Sequence, residues 1–344
     1  MRLLCLLPLL CLALCDHAPS RYRIQLEAPA ESRWDRVIDD HRHKIIPKPF
    51  QKVVWFVAAQ LRRFFPEEYA RELEGIANST GLPLGEIVGL NILYDITAFD
   101  RKHILNQGCT SLVACDSEGR IWHGRNLDYE MGGLLKKTTL VVDFYKGEKL
   151  LYSGTTFLLY IGLLTGQRPH AFSLTLNARY SGAYIDNIIM EFITRFRHPT
   201  LEHSSNFDSA VERLSSVHLI CPAYIIVAGV LPYQGALISR NRWKAADVEM
   251  LDSNRWYFVE TNFDHWKPDA DKRRITAERL LKKYGRERIN DKSIMTILGT
   301  APVKNNLTIY SGVLTAREPD VFYQTMVVRE DGTGKRRHHY HMRH

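Results

Sequence analysis

Cysteine is scarce outside the first fifteen residues of this chain. Of six cysteines in 344 residues, Cys5, Cys11 and Cys15 lie in that opening stretch, leaving Cys109, Cys115 and Cys221 for the remainder. An odd number leaves at least one free thiol and excludes a disulfide-stapled scaffold. Cys109 and Cys115 fall in one extended run, where a rise of about 3.3 Å per residue puts them beyond bridging distance. Cys115 and Cys221 fit either a bridge or two buried thiols. Long apolar runs are scarcer still. The segment 3–15, after Arg2 and before Asp16, is too short to cross a bilayer. Its flanking charge, length and small closing residues are those of a secretory signal peptide, with cleavage after Cys15 or Ala18. We take residues 1–18 as that signal. No later run reaches spanning length, and no internal repeat or long linker breaks the chain.

Also lacking is a nucleic-acid motif to explain the net charge of +8. In a chain with a secretory signal, that excess points to an anionic membrane surface and away from nucleic acid. Asn78-Ser79-Thr80 and Asn306-Leu307-Thr308 are glycosylation sequons, which places Asn78 and Asn306 at the surface. The tail 331–344, basic and histidine-rich, reads as solvated and disordered rather than metal-binding.

What the chain has is 45% hydrophobic residues, enough for a sizeable core. Up to residue 108 the pattern is mainly helical. It predicts helices at 35–43, from Phe50 to Phe65, and at 67–77 and 84–96. After residue 108 it turns to strands, with a hairpin at 138–145 and 149–153 around Lys146-Gly147-Glu148. Further strands are expected at 171–177, 223–228, 236–240, 256–260, 308–314 and 322–328. Helices are expected at 186–196, 207–216, 275–283 and 292–298. Strand clusters with interspersed helices predict an α+β fold of two sheets covered by helices.

The chemistry centres on Cys109. It opens Cys109-Thr110-Ser111-Leu112-Val113-Ala114, and after a turn the chain returns through His123-Gly124-Arg125-Asn126-Leu127-Asp128. A cysteine that begins a chain carries both a nucleophile and a base, because an α-amine of pKa near 8 can take the thiol proton. Strand parity sets Arg125 and Asp128 on opposite faces, so the strand is expected to end or bulge before Asp128.

These motifs resemble those of the N-acylethanolamine-hydrolysing acid amidases and acid ceramidases, cysteine N-terminal-nucleophile (Ntn) hydrolases of the choloylglycine-hydrolase superfamily. The resemblance runs from about residue 27 to 328. It includes Ser153-Gly154-Thr155-Thr156-Phe157, Gly162-Leu163-Leu164-Thr165-Gly166-Gln167 and Asn305-Asn306-Leu307-Thr308-Ile309-Tyr310 on the amidase side. Leu82-Pro83-Leu84-Gly85-Glu86-Ile87 and Ser173-Leu174-Thr175-Leu176-Asn177 lie closer to the ceramidases. It implies an αββα sandwich with an N-terminal helical subunit: residues 19–108 as α-subunit and 109–330 as catalytic β-subunit, separated by self-cleavage at Gly108–Cys109. It also implies roles. Cys109 is the nucleophile, Arg125 lies beside thiol and substrate, and Asp128 holds the α-amine. Asn262 donates to the oxyanion, and Arg273 is a further active-site arginine. The implied substrate is a lipid amide, an N-acylethanolamine or alternatively ceramide, with no metal or organic cofactor, in a lysosome-like compartment. A lipid-binding homologue without catalysis is the remaining alternative. His123, His265 and Tyr129 are read as packing residues.

Two positions depart from the family. Gly108 stands where a bulkier residue is expected, and Ala178 where the family carries a glutamate. In the helix from Phe50, Trp55 and Phe56 fall opposite the apolar stripe, beside Lys52, Arg62 and Arg63. That face suits a membrane contact at headgroup level or packing on the other subunit.

Overall fold

The computed structural model describes residues 18–41, 65–97, 108–129, 132–179, 200–217, 219, 222–267, 271–319 and 324–328. The signal segment, the stretch with Trp55 and Phe56, the helix expected at 186–196, Cys221 and the tail lie outside them.

Two sheets form the centre. The smaller has the order β11-β2-β3-β12-β13, from β2 (Thr110–Cys115), β3 (Ile121–Asp128), β11 (Tyr257–Glu260), β12 (Thr308–Leu314) and β13 (Gln324–Val327). The larger has eight strands in chain order apart from its first neighbours: β1 (Ser20–Gln25), β4 (Thr139–Lys146), β5 (Lys149–Phe157), β6 (Thr165–Arg168), β7 (Phe172–Ala178), β8 (Ala223–Ala228), β9 (Gly235–Arg240) and β10 (Ala245–Met250). From β4 to β10 it runs as an antiparallel meander, with tight turns at some corners and a long connection carrying the helix Phe207–Ser216 between β7 and β8. One tight turn is at Gly147, whose φ of 55° is a conformation that glycine adopts without steric cost.

Side-chain alternation decides the layers. Along β2, Leu112 and Ala114 join Trp122, Val259 and Val313 against helices α6 (Lys272–Tyr284) and α7 (Asp291–Gly299), through Ala277, Leu281, Ile294 and Ile297. The other face of β2, with Val113 and Cys115, meets Tyr224, Ile226 and Leu237 of the eight-stranded sheet. That sheet's outer face, with Ile225, Val227 and Ile238, packs on Phe207, Ala210 and Leu214 of α5 (Phe207–Ser216). The order helix, sheet, sheet, helix is the αββα sandwich expected from the sequence.

The described part of the region before Cys109 is mainly helical, as expected, with one strand added. Helices α1 (Asp35–His41), α2 (Glu67–Thr80) and α3 (Leu84–Thr97) are present, but β1 precedes them. It pairs in parallel with β4, from Ser20 opposite Leu140 to Gln25 opposite Tyr145. Arg21 grips Asp143 on that strand at 2.5 and 2.7 Å. The N-terminal segment therefore contributes an edge strand to the eight-stranded sheet. Tyr22, Ile24 and, directly after the strand, Leu26 alternate with Arg21, Arg23 and Gln25 and pack into the core, a period-two pattern that the expectation of helices in this region passed over. Short α4 (Gly132–Thr138), β6 and the half-exposed β10 were likewise not predicted.

Candidate active site

Cys109 stands one residue before β2, and alternation puts it on the face of Ser111, Val113 and Cys115, between the sheets. It is buried. Both Cys109 and Cys115 are free thiols; Cys221 lies outside the described residues. Ser111 lies directly opposite Arg125 on β3. Arg125 is fully buried and donates to the Ser111 hydroxyl at 3.2 Å, to the Leu176 carbonyl at 2.7 Å and to Asn177 Oδ1. The structure thus connects Arg125 to Cys109 through Asn177, whose Nδ2 reaches the Cys109 carbonyl at 3.5 Å.

Arg273 is the hinge of the cluster. Asp271 caps α6, accepting from the Arg273 backbone N–H at 2.9 Å, and its carboxylate takes the guanidinium at 2.6 and 3.1 Å. So held, Arg273 Nη1 donates to the Gly108 carbonyl and lies 3.4 Å from that of Cys109. These are the two carbonyls flanking the proposed scissile bond. Nη2 lies 3.4 Å from Asn262 Oδ1. Asp128 stands behind the guanidinium at 3.6 Å.

Asp128 is the last residue of β3. The strand does not end or bulge before it, as parity had suggested. The irregularity lies on the neighbour, where the register of β12 shifts between Thr308 and Tyr310. Asp128 accepts from Thr308 Oγ1 and Asn305 Nδ2, both at 2.7 Å, and meets Cys109 through Arg273 rather than by its own carboxylate. Burial pushes its carboxyl above the usual range, against the opposing pull of Arg273, Thr308 and Asn305.

Asn262 follows β11, and its Nδ2 is taken by the Ala178 carbonyl at 2.8 Å. The group that donates to the Gly108 carbonyl is therefore Arg273. Asn262 also accounts for Gly108. A Cβ there would come within 1.7 Å of Asn262 Oδ1, so any larger residue must displace the Asn262 amide from this arrangement. The site contribution of Ala178 is its carbonyl. Alternation along β7 sets its methyl with Leu174 and Leu176, opposite Asn177.

The remaining sequence candidates separate cleanly. His123 is fully buried between Ser173 Oγ at 2.9 Å and Thr175 Oγ1 at 3.0 Å. Burial, aided by Arg125, lowers its pKa to about 3, so it stays neutral and serves packing. Asn78 and Asn306 are exposed. His265 joins Asp247 and Glu249, the one group among the described residues whose ligand atoms lie close enough for a metal ion. Arg255 already forks Glu249, and the group shares no residue with the thiol site. Sequence reasoning assigned no role to Asn177, Asp271, Asn305 or Thr308. Asp271, directly before a helical run, was recognisable as an N-cap. For the others no local pattern distinguishes a structural from a functional polar residue.

The arrangement supplies a buried thiol, a cation on the adjoining carbonyl and a carboxylate pair behind that cation. No family model matches the chain. Individual proteins do. An N-acylethanolamine-hydrolyzing acid amidase from Caenorhabditis elegans is 51% identical over 337 residues, covering 92% of this chain and 95% of that protein. The Mus musculus protein of the same name is 35% identical over 90% of this chain and 89% of its own length. Acid ceramidase from Homo sapiens is 32% identical over 85% and 82%. A solved structure of a Caenorhabditis elegans N-acylethanolamine-hydrolyzing acid amidase ortholog superposes with a TM-score of 0.59 at 50% identity, covering 64% of this chain and all of that one.

Proposed function

The chain belongs to the family of N-acylethanolamine-hydrolysing acid amidases and acid ceramidases, and we propose that it is a lipid amidase hydrolysing N-acylethanolamines to fatty acid and ethanolamine. The observation that carries this reading is the bond from Arg273 to the Gly108 carbonyl, beside the buried Cys109 thiol. Higher identity to the amidases than to the ceramidases favours the N-acylethanolamine over ceramide.

The first reaction is on the chain itself. Cys109 Sγ adds to the Gly108 carbonyl carbon, and the oxyanion forms where Arg273 already donates. The C–N bond breaks, the thiol proton ends on the Cys109 nitrogen, and the acyl group sits on sulfur. Water hydrolyses this thioester, leaving a Gly108 carboxylate and a free Cys109 amine. Position 108 abuts the Asn262 amide. Departure of Gly108 therefore opens a place for a substrate carbonyl between Arg273 and Asn262, and a preorganised donor of this kind contributes roughly 3 kcal/mol to transition-state stabilisation.

In turnover the α-amine takes the thiol proton as sulfur adds to the lipid amide. Collapse breaks the amide C–N bond, the amine returns its proton to the departing nitrogen, and ethanolamine leaves. Water, giving a proton to the amine, adds to the thioester. The C–S bond breaks, sulfur is reprotonated and the fatty acid is released. Asp128, raised by burial, orients Arg273 and balances its charge.

The same reading extends to processing and setting. Residues 19–108 and 109–330 become α- and β-subunits that stay associated through β1. The route is secretory, ending in a lysosome-type compartment, with glycans at Asn78 and Asn306 and peripheral contact with anionic membrane through Trp55 and Phe56. Acid incubation followed by N-terminal sequencing tests the core of it. A chain beginning at Cys109 is expected, and an intact, inactive chain for Cys109→Ala. Full activity from an uncleaved wild-type chain would overturn it. Competing N-acylethanolamine and ceramide in one assay separates the two substrates.

A further inference from the structure

Asn177 closes the inner face of β7 and is fully buried. Both ends of its carboxamide are engaged, which fixes its orientation. Oδ1 accepts from the Ser111 hydroxyl at 3.0 Å and from Arg125, a group that can only donate. Nδ2 faces three backbone carbonyls, which can only accept: Thr261 at 2.8 Å, Glu260 at 3.1 Å and Cys109 at 3.5 Å. One side chain thereby joins the residue at the scissile bond, the buried arginine of β3, and the backbone that leads directly into Asn262.

Cleavage makes this junction matter. Once the Gly108–Cys109 bond is cut, Cys109 has no covalent tether on its N-terminal side, and ladder pairing begins only at Thr110 opposite Asn126. The Cys109 carbonyl is then held by the Asn177 amide and by Arg273. Rotation of that residue would swing the thiol and α-amine together away from the acyl carbon.

We propose that Asn177 is a positioning residue for the Cys109 reaction: its amide fixes the N-terminal residue of the cleaved chain relative to the segment carrying Asn262. The proposal rests on the reading of Cys109 as nucleophile. It acts through neighbours and touches no reacting atom. Misplacement of reacting groups by about 1 Å costs on the order of a hundredfold in rate, which sets the scale expected here.

Asn177→Asp has nearly the same size and keeps the acceptor for Arg125, but turns an oxygen toward the three carbonyls. Asn177→Ser is smaller and neutral. Each is assayed after processing with a fluorogenic fatty-acyl amide, and turnover is expressed per titratable thiol. The expectation is a kcat lower by roughly ten- to a hundredfold in both, with KM little changed. In Asn177→Asp alone the new carboxylate favours the protonated α-amine, so the acid limb of the pH profile moves to higher pH. If wild type is inactive, or Cys109→Ala keeps activity, the reading of the nucleophile fails. If wild type and Cys109→Ala behave as proposed while both Asn177 variants lose thermal stability but keep kcat and profile per thiol, the positioning role is overturned.

Discussion

Arg273 donates a hydrogen bond to the carbonyl oxygen of Gly108. That oxygen gains negative charge when the adjoining thiol adds to its carbon, so the donor is already aimed where charge develops. Asp271 and Asp128 flank the guanidinium and keep it in place without competing for the carbonyl. Arg273→Lys preserves the positive charge but loses the fork that grips Asp271 and reaches Gly108 together. Conversion to two chains at acid pH, followed by gel densitometry, is expected to slow about a hundredfold, the usual cost of an oxyanion donor.

Gly108 and Asn262 set a second prediction. Because a Cβ at position 108 would lie 1.7 Å from Asn262 Oδ1, Gly108→Ala must displace the Asn262 amide or tilt the scissile carbonyl. Either change takes the carbonyl off its alignment with Arg273. Processing is expected to slow at least about tenfold, with the defect read from the time course of chain cleavage. Asn262→Ala beside Gly108→Ala restores the space. Partial recovery of the cleavage rate in the double variant would identify the steric origin.

The sequence made most of this fold readable because the elements around the site carry strong periodic signals. The strands at 223–228 and 308–314 and the helix at 207–216 match the observed bounds. β1 alternates, with Tyr22, Ile24 and Leu26 set between Arg21, Arg23 and Gln25; what spacing does not encode is its partner, the sequence-distant β4. The partnership of Arg273 with Asp128 was hidden for a related reason: strand parity separates Asp128 from Arg125, and only the three-dimensional position of the α6 N-terminus brings a cation to it. The motif residues were recognisable as a family set. The polar network that connects them through Asn177 and Ser111 depends on the facing of two sheets, and spacing along one chain does not encode it.

His123 makes stability depend on pH in a definite direction. Its ring is buried and neutral, with a pKa lowered from 6.5 to about 3 by burial and by Arg125. The unfolded chain binds the proton more tightly, so the contribution is complete above pH 6.5 and is lost as pH falls toward 3. Between pH 6.5 and 4.5 this amounts to roughly 2–3 kcal/mol. His123→Gln is expected to cost stability at neutral pH but to flatten the decline below pH 6.5. Denaturant midpoints at half-unit steps measure the slope, and an unchanged slope would show that another group drives it.

The last prediction concerns the segment that presents Asn262. Two residues further on, the buried Asp264 receives Arg179 Nε at 2.6 Å, Lys267 Nζ at 2.7 Å and Tyr224 Oη at 2.8 Å. Arg179 directly follows Ala178, whose carbonyl takes the Asn262 amide. The ion pair thus clamps the Asn262 segment onto the end of β7. Burial alone would raise the Asp264 pKa, but the bonds from Arg179, Lys267 and Tyr224 bring it down to about 2. With its folded pKa below the unfolded one, the stabilisation is present above about pH 3.9 and disappears as pH falls through about 2. The clamp therefore stays charged throughout mildly acidic conditions. Arg179→Met leaves a buried carboxylate with two partners and is expected to lower stability by about 3 kcal/mol, at the low end for a broken buried pair. A freed segment should also lower kcat, because Asn262, which borders the position of the scissile carbonyl, is no longer held against β7. Asp264→Asn keeps an Oδ1 acceptor for Arg179 and Tyr224, giving up only the exposed Lys267, and should cost less, while removing the loss of stability between pH 4 and 2. Urea denaturation across that range, paired with turnover per active thiol, distinguishes the two effects. A less stable Arg179→Met enzyme with wild-type kcat would confine the clamp to folding.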